Sequence, residues 1–148
     1  MTNRVLYNGL DTQLSLDNYS QCFDFIKAQI IPNILSGNVI VEKITKNDKI
    51  SNRVSRLETV LKEKRIIVVV SYGDHIQKMA SIVEITKSKF EGVDQWNKLL
   101  SFQQIRPGKN ELLEKAVRVP ILITVLCVDK KLELPQELKV SSSGFFKQ

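Results

Sequence analysis

The sequence predicts an α/β sandwich: a mixed four-stranded sheet in the order β-α-β-α-β-β, with helices on one face and an added helix at the N-terminus. Three observations predict it. Apolar residues change period along the chain, from steps of three or four to alternation or unbroken runs. The run "IIVVVSY" (Ile66 to Tyr72) has no polar face, which fits a strand covered on both sides. Helical and strand patterns also follow one another in turn, the order of an α/β fold. A chain of 148 residues suits one domain and can bury a core without staples. We expect an N-terminal arm and helix over 1–37 packing on that domain. A core over 38–129 and a weakly ordered tail over 130–148 complete the division.

Each element has its own signal. The first eighteen residues show no sustained period and read as an irregular lead-in. From Ser20 to about Leu35, Phe23, Ile26, Ile30 and Ile34 share one helical face, with Ser20 as candidate N-cap. Pro32 should kink or end that helix near Ile31, because it lacks an N–H. "VIVEKIT" (Val39 to Thr45) alternates like a strand. Asn47 or Asp48 can cap the next helix, whose Ile50, Val54, Leu57 and Leu61 line one face. After the Ile66–Tyr72 strand, a second helix runs from about His75 to Phe90. Asp74 and Gln77 have the spacing of a capping box at its start. "QWNKLLSFQQI" and "VRVPILITVLCV" are the third and fourth strands, joined by the loop "RPGKNELLEKA".

The net charge is +6, and it is uneven. Residues 1–42 carry −2, whereas residues 43–65 hold eight basic and three acidic residues. A local basic stripe is the footprint of a polyanion partner; a solvated helix face is the plain alternative. No apolar run reaches the roughly 18 residues a membrane span needs. Neither a signal peptide nor a transit-peptide pattern opens the chain, so we expect a cytosolic or nuclear protein without membrane contact. Cys22 and Cys127 lie far apart in apolar runs and read as reduced, buried thiols. One histidine without a cysteine cluster makes zinc improbable, and no cofactor is expected.

His75 is the one candidate for acid–base catalysis. It has no nucleophile, metal motif or orienting partner in sequence, since its neighbour Asp74 points elsewhere on a helix. A contact to phosphate or base, or a plain first-turn role, fits it better. Gly73 permits close backbone approach or a positive φ. "GDHIQK" lacks the further glycines of a dinucleotide fingerprint. The stronger feature is basic. Lys43, Lys46 and Lys49 surround the start of the first core helix, with Arg53 one turn on. Arg106 and Lys109 flank the hairpin tip, and Lys115 and Arg118 follow on its return. Were both regions to face one side, they would straddle a nucleic-acid backbone.

The segment "SYGDHIQKMASIVEITKSKF" resembles the second strand and second helix of the Alba superfamily. Its Gly73, Ile76, Lys78, Glu84-Ile85, Lys87, Lys89 and Phe90 stand where that pattern has them. "TKNDKISNRVSRLETVL" is similar to the Alba lysine loop and first helix. "HIQKM", "QWNKL", "NEL" and "VPIL", in this order, resemble the Alba-type RNA-binding subunits shared by yeast ribonuclease P and ribonuclease MRP. The resemblance spans most of residues 20–126.

It implies an Alba-like fold and a non-catalytic protein. It also implies a heterodimer with a second Alba-type subunit, gripping an internal-loop stem of a structured RNA within a larger ribonucleoprotein. Precursor tRNA and rRNA processing, telomerase RNA, and the nucleus with its nucleolus come with it. As RNA-binding residues it points to Lys46, Lys49, Tyr72, Gly73, His75, Lys78, Arg106 and Lys109, beside Lys43 and Arg53 from the basic stripe. Asp74 departs from the more basic turn of many Alba proteins. The alternatives are a chromatin-type Alba protein on duplex DNA, or a small hydrolase using His75.

Overall fold

The computed structural model describes residues 3–37, 39–108, 113–128 and 134–148. Its sheet is built on β3 (Ile40–Lys43), β4 (Ile67–Tyr72), β5 (Asp94–Pro107) and β6 (Glu114–Cys127). Strands β3 and β4 run parallel, as a helical crossover requires; β6 is antiparallel to both β4 and β5. Helices α3 (Ile50–Lys62) and α4 (Ile76–Ser88) follow β3 and β4 and pack on one face. These are the four strands and two helices expected from the periods.

The sheet is larger than expected. The lead-in contributes β1 (Arg4–Tyr7) and β2 (Leu10–Asp11), and the C-terminus contributes β7 (Phe146–Lys147). The strand order is β2-β1-β5-β6-β4-β3, with β7 also on β5. Strands β1 and β7 borrow two stretches of the same long β5 edge, at Gln103–Ile105 and at Trp96–Asn97. Strand β7 is two residues long, and the lead-in that holds β1 shows no sustained period.

The added N-terminal helix lies on the face opposite α3 and α4, so the sheet is covered from both sides. The alternation of β4 explains why its sequence looked uniformly apolar. Val68, Val70 and Tyr72 join Phe23, Ile26 and Ile30 of the N-terminal helix in one core. Ile67 and Val69 join Leu57, Leu61, Met79 and Ile82 in the other. Strand β6 divides likewise, with Ile121, Ile123 and Val125 on the first side and Leu126 on the second.

Pro32 acts close to where it was expected. The helix begins as α1 (Tyr19–Phe25), capped by Asn18 rather than Ser20. It widens to a π-helical turn over Ile26–Ile30, in which the Ile31 N–H reaches back five residues to the Ile26 carbonyl. It then resumes as the short α2 (Ile31–Ile34), with Pro32 in its first turn, where no N–H is needed. The tail, expected to be weakly ordered, packs over residues 134–148. Phe145 is buried, the Gln148 N–H donates to the Gln95 carbonyl at 2.8 Å, and Asn97 donates to the Gln148 side chain at 2.8 Å. The buried ring, the β7 pairing and these hydrogen bonds together offset the ordering cost of the tail.

Candidate nucleic-acid interface

Topology gathers the basic regions. Because β3 and β4 are parallel, the loop after Lys43 and the turn after Tyr72 leave the same end of the sheet. The last β4–β6 pair is Tyr72 with Ile121. Beyond it, β5 and β6 continue together to Pro107 and Glu114 as an arm, with β1 paired to the other edge of β5. At about 3.3 Å per residue this arm projects on the order of 20 Å past the sheet, at the end that bears the lysine loop. Arg106 faces Lys115 across the strands, and Arg118 faces Gln103. Like charges opposed on a sheet repel, and a polyanion laid over them relieves that repulsion. Strand β1 braces the arm, where Arg4 forms a two-oxygen contact with Glu114, at 2.9 and 3.1 Å. Lys109 lies outside the described residues.

The lysine loop, residues 44–49, is held by a dense set of bonds. Ser71 Oγ–H donates to the Ile44 carbonyl at 2.5 Å. The Thr45 N–H donates to Asp48 Oδ2 at 2.8 Å, and the Asp48 N–H returns to the Thr45 carbonyl at 3.1 Å. Asp48 is therefore engaged within the loop and does not cap α3. The cap position is Lys49, which makes no side-chain bond to the helix. The Lys46 N–H donates to His75 Nδ1 at 2.8 Å, and Lys78 Nζ donates to the Asp48 carbonyl at 3.1 Å.

The expected site residues divide into two sets. Lys43, Lys46, Lys49 and Arg106 are exposed. Lys43 Nζ lies 5.9 Å from the Phe23 ring centre. Lys46 Nζ meets Asp74 at 3.2 Å and lies 5.9 Å from the centre of Tyr19. That carboxylate holds the Lys46 ammonium above its ordinary pKa and is itself held below the usual carboxylate range. Asp74 therefore spends its charge on Lys46. The capping box proposed from its spacing does not form, because no side chain caps α4. Arg53 and Lys78 belong to the second set. Arg53 is half-buried between Asp48, at 3.2 Å, and Glu42, at 3.4 Å. Lys78 is half-buried against the loop backbone.

Tyr72 and His75 depart furthest from expectation. Tyr72 is 3% exposed, and its hydroxyl donates to the Leu16 carbonyl at 2.8 Å. Burial raises its pKa well above the usual phenol. His75 is 1% exposed, ringed by Tyr19, Tyr72 and Phe23 at centroid distances of 4.4, 4.9 and 5.8 Å. Neither side chain is exposed, and both are engaged within the fold. Burial also lowers the His75 pKa, with Asp74 opposing and Lys46 assisting. An imidazole that accepts at Nδ1 is neutral and bears its proton at Nε2. Gly73 begins the turn at a φ of +57°. Its sequence signal was legible. The burial of His75 was not, because the rings that bury it come from residues 19 and 23.

Residues 40–103, which run from β3 into the arm, match the Alba family. The Ribonucleases P/MRP protein subunit POP6 of Saccharomyces cerevisiae is 35% identical over 150 aligned positions, covering 90% of this chain and 95% of the relative. The solved Alba from Thermoplasma volcanium aligns at a TM-score of 0.41 and 19% identity, over 61% of this chain and 99% of its own. The family match across the core and the likeness to POP6 over nearly the whole of both proteins establish that the chain belongs to the Alba family, as an Alba-type relative of the ribonuclease P/MRP subunits.

Proposed function

We propose that this chain is a non-catalytic RNA-binding subunit of the ribonuclease P and ribonuclease MRP ribonucleoproteins. It acts as a heterodimer with a second Alba-type protein on an internal-loop RNA stem. In that role it supports precursor tRNA and rRNA processing and telomerase RNA assembly in the nucleus, including the nucleolus. The likeness to POP6 over 90% of the chain is the observation that carries the reading. The geometry supports it: Lys43, Lys46 and Lys49 leave the sheet at the end from which the Arg106, Lys115 and Arg118 arm projects. RNA contact falls to these exposed cations, with Lys109 as a further contact and Gly73 giving the turn its close approach. Arg53, Lys78, Tyr72 and His75 hold the frame. A protein without catalysis is supported by the engagement of its one histidine, which the Lys46 N–H occupies.

The test is affinity purification of the chain from a fungal extract, with sequencing of the RNA and identification of the proteins recovered. Ribonuclease P and MRP RNAs with a second Alba-type protein are expected. Genomic DNA as the main nucleic acid would overturn the reading in favour of a chromatin protein.

A further inference from the structure

The histidine, the serine before it and the lysine after it are all spent on one short loop. Ser71 holds the carbonyl of Ile44, His75 holds the N–H of Lys46, and Lys78 holds the carbonyl of Asp48. All three donors and acceptors come from β4 or the first turns after it, and all three reach backbone atoms of the loop bearing Lys46 and Lys49. The turn is thus a clamp on the lysine loop. Its central member is built in firmly, because Tyr19 and Phe23 of the N-terminal helix pack against the imidazole. Tyr19 also lies beneath the Lys46 ammonium.

We propose that His75 is a positioning residue for RNA binding: its neutral imidazole accepts the Lys46 N–H and so fixes the lysine loop in its binding-competent form. The inference rests on the RNA-binding reading above and adds to it a role for a residue that touches no RNA. The clamp works by preorganisation, since a loop already held in its bound form loses less freedom on binding. It also makes affinity depend on pH. Protonating Nδ1 turns the acceptor into a donor facing another donor, and the Lys46 bond is lost. The charged and titratable groups around the ring are Asp74 on its own turn, Lys46 and Asp48 in the loop, Tyr19 on the N-terminal helix and Tyr72 on β4. Burial keeps the ring neutral, so protonation begins below the ordinary histidine value of about 6.5.

The sign separates this mechanism from simple charge. A new cation beside a polyanion site strengthens binding on acidification, whereas a broken clamp weakens it. The experiment uses the full chain and a labelled RNA stem with an internal loop, between pH 7.5 and pH 5. NMR of the imidazole and of the Lys46 amide runs in parallel. As the imidazole titrates, affinity is expected to fall about threefold to tenfold, the scale of one net hydrogen bond, and the Lys46 amide is expected to lose its protection from exchange. His75→Asn keeps an oxygen acceptor at the δ position and does not titrate. It should bind at pH 7.5 within about twofold of the parent, with a flat pH profile. His75→Phe fills the space without an acceptor and should bind at pH 7.5 as the parent does in acid.

Affinity that holds or rises while the imidazole titrates would overturn the proposal, and this needs no variant. Should the stem fail to bind at pH 7.5, the RNA-binding reading fails instead. The clamp is then judged on the amide alone: protection retained through the titration overturns it, and protection lost with the titration upholds it.

Discussion

Gly73 occupies a place where a side chain would fit but its backbone would not allow it. Its φ is +57°, and a Cβ there would meet only Val119 Cγ1, at 3.5 Å, an ordinary contact. The cost of Gly73→Ala is therefore backbone strain, about 1–2 kcal/mol for an L-residue in the left-handed region. Chemical denaturation should return that loss with an unchanged m-value, and a loss near zero would mean the turn relaxes freely. At this scale the sequence was legible wherever a residue acts through its own backbone or its own charge. The positive φ of Gly73 and the exposure of Lys43, Lys46 and Lys49 are of that kind. It was illegible where the role depends on who arrives from afar. Asp74 looked like the first half of a capping box with Gln77 and instead meets Lys46, and His75 looked accessible until Tyr19 and Phe23 covered it. Stability should follow His75 as well. Its depressed pKa means the unfolded chain takes up the proton first, so the contribution is full above about pH 6.5 and is lost as pH falls below it. Denaturation midpoints at pH 7.5 and 5.5 measure this, and His75→Phe should remove that slope.

The elements that the periods located are the helices of several turns, the strands of six or more residues, and the four-residue β3, which sits within the alternating run "VIVEKIT". Those that were missed are held by neighbours instead of by their own pattern. Strand β7 is two residues long and follows Phe145, whose burial anchors it. Lys98 lies 5.6 Å from the Phe145 ring centre and donates to the Ser143 carbonyl, while Lys147 lies 5.4 Å from the Trp96 ring and 3.4 Å from Asp94. Phe145→Ala should cost about 3 kcal/mol, near the lower end for a buried phenylalanine because a tail can partly collapse into the space. Phe146→Ala, at a ring that is 59% exposed, should change stability by less than about 0.5 kcal/mol. Equal losses at the two positions would mean that the tail is not anchored by burial. The N-terminal helix teaches the complementary lesson. Its apolar face was plain in the sequence, yet the side of the sheet it covers was not, since a period names a buried face and not the surface that buries it.

For the molecule as a whole, the decisive property is where charge sits relative to the sheet. The chain carries +6, and exposed cations of the lysine loop and of the arm lie together at one end, while Lys62, Lys64, Arg65, Lys89 and Lys147 are exposed elsewhere. Binding of an RNA stem should therefore weaken steeply with salt, by roughly one unit of log–log slope per phosphate neutralised. Lys49→Ala should reduce that slope by about one, and Lys46→Ala by less because Asp74 already holds part of its charge, with similar losses across RNA sequences, as expected of phosphate contacts. Arg53→Ala should leave the slope nearly unchanged, because Glu42 and Asp48 already hold its charge. A slope reduced as much by Arg53→Ala as by Lys49→Ala would place the interface deeper, toward α3.

The shared edge of β5 also fixes where the two ends of the described chain lie. Arg4 pairs at Ile105, far out on the arm, and Lys147 pairs at Trp96, near the root of the strand. At about 3.4 Å per residue these two points stand roughly 30 Å apart along one strand. A fluorophore attached beside Arg4 would therefore report on whatever the arm touches, and one attached beside Gln148 would report on the far end of the sheet. With one dye at each position, the protein becomes its own ruler for the direction from which a ligand approaches. RNA should shield the first dye from a soluble quencher and leave the second as open as before.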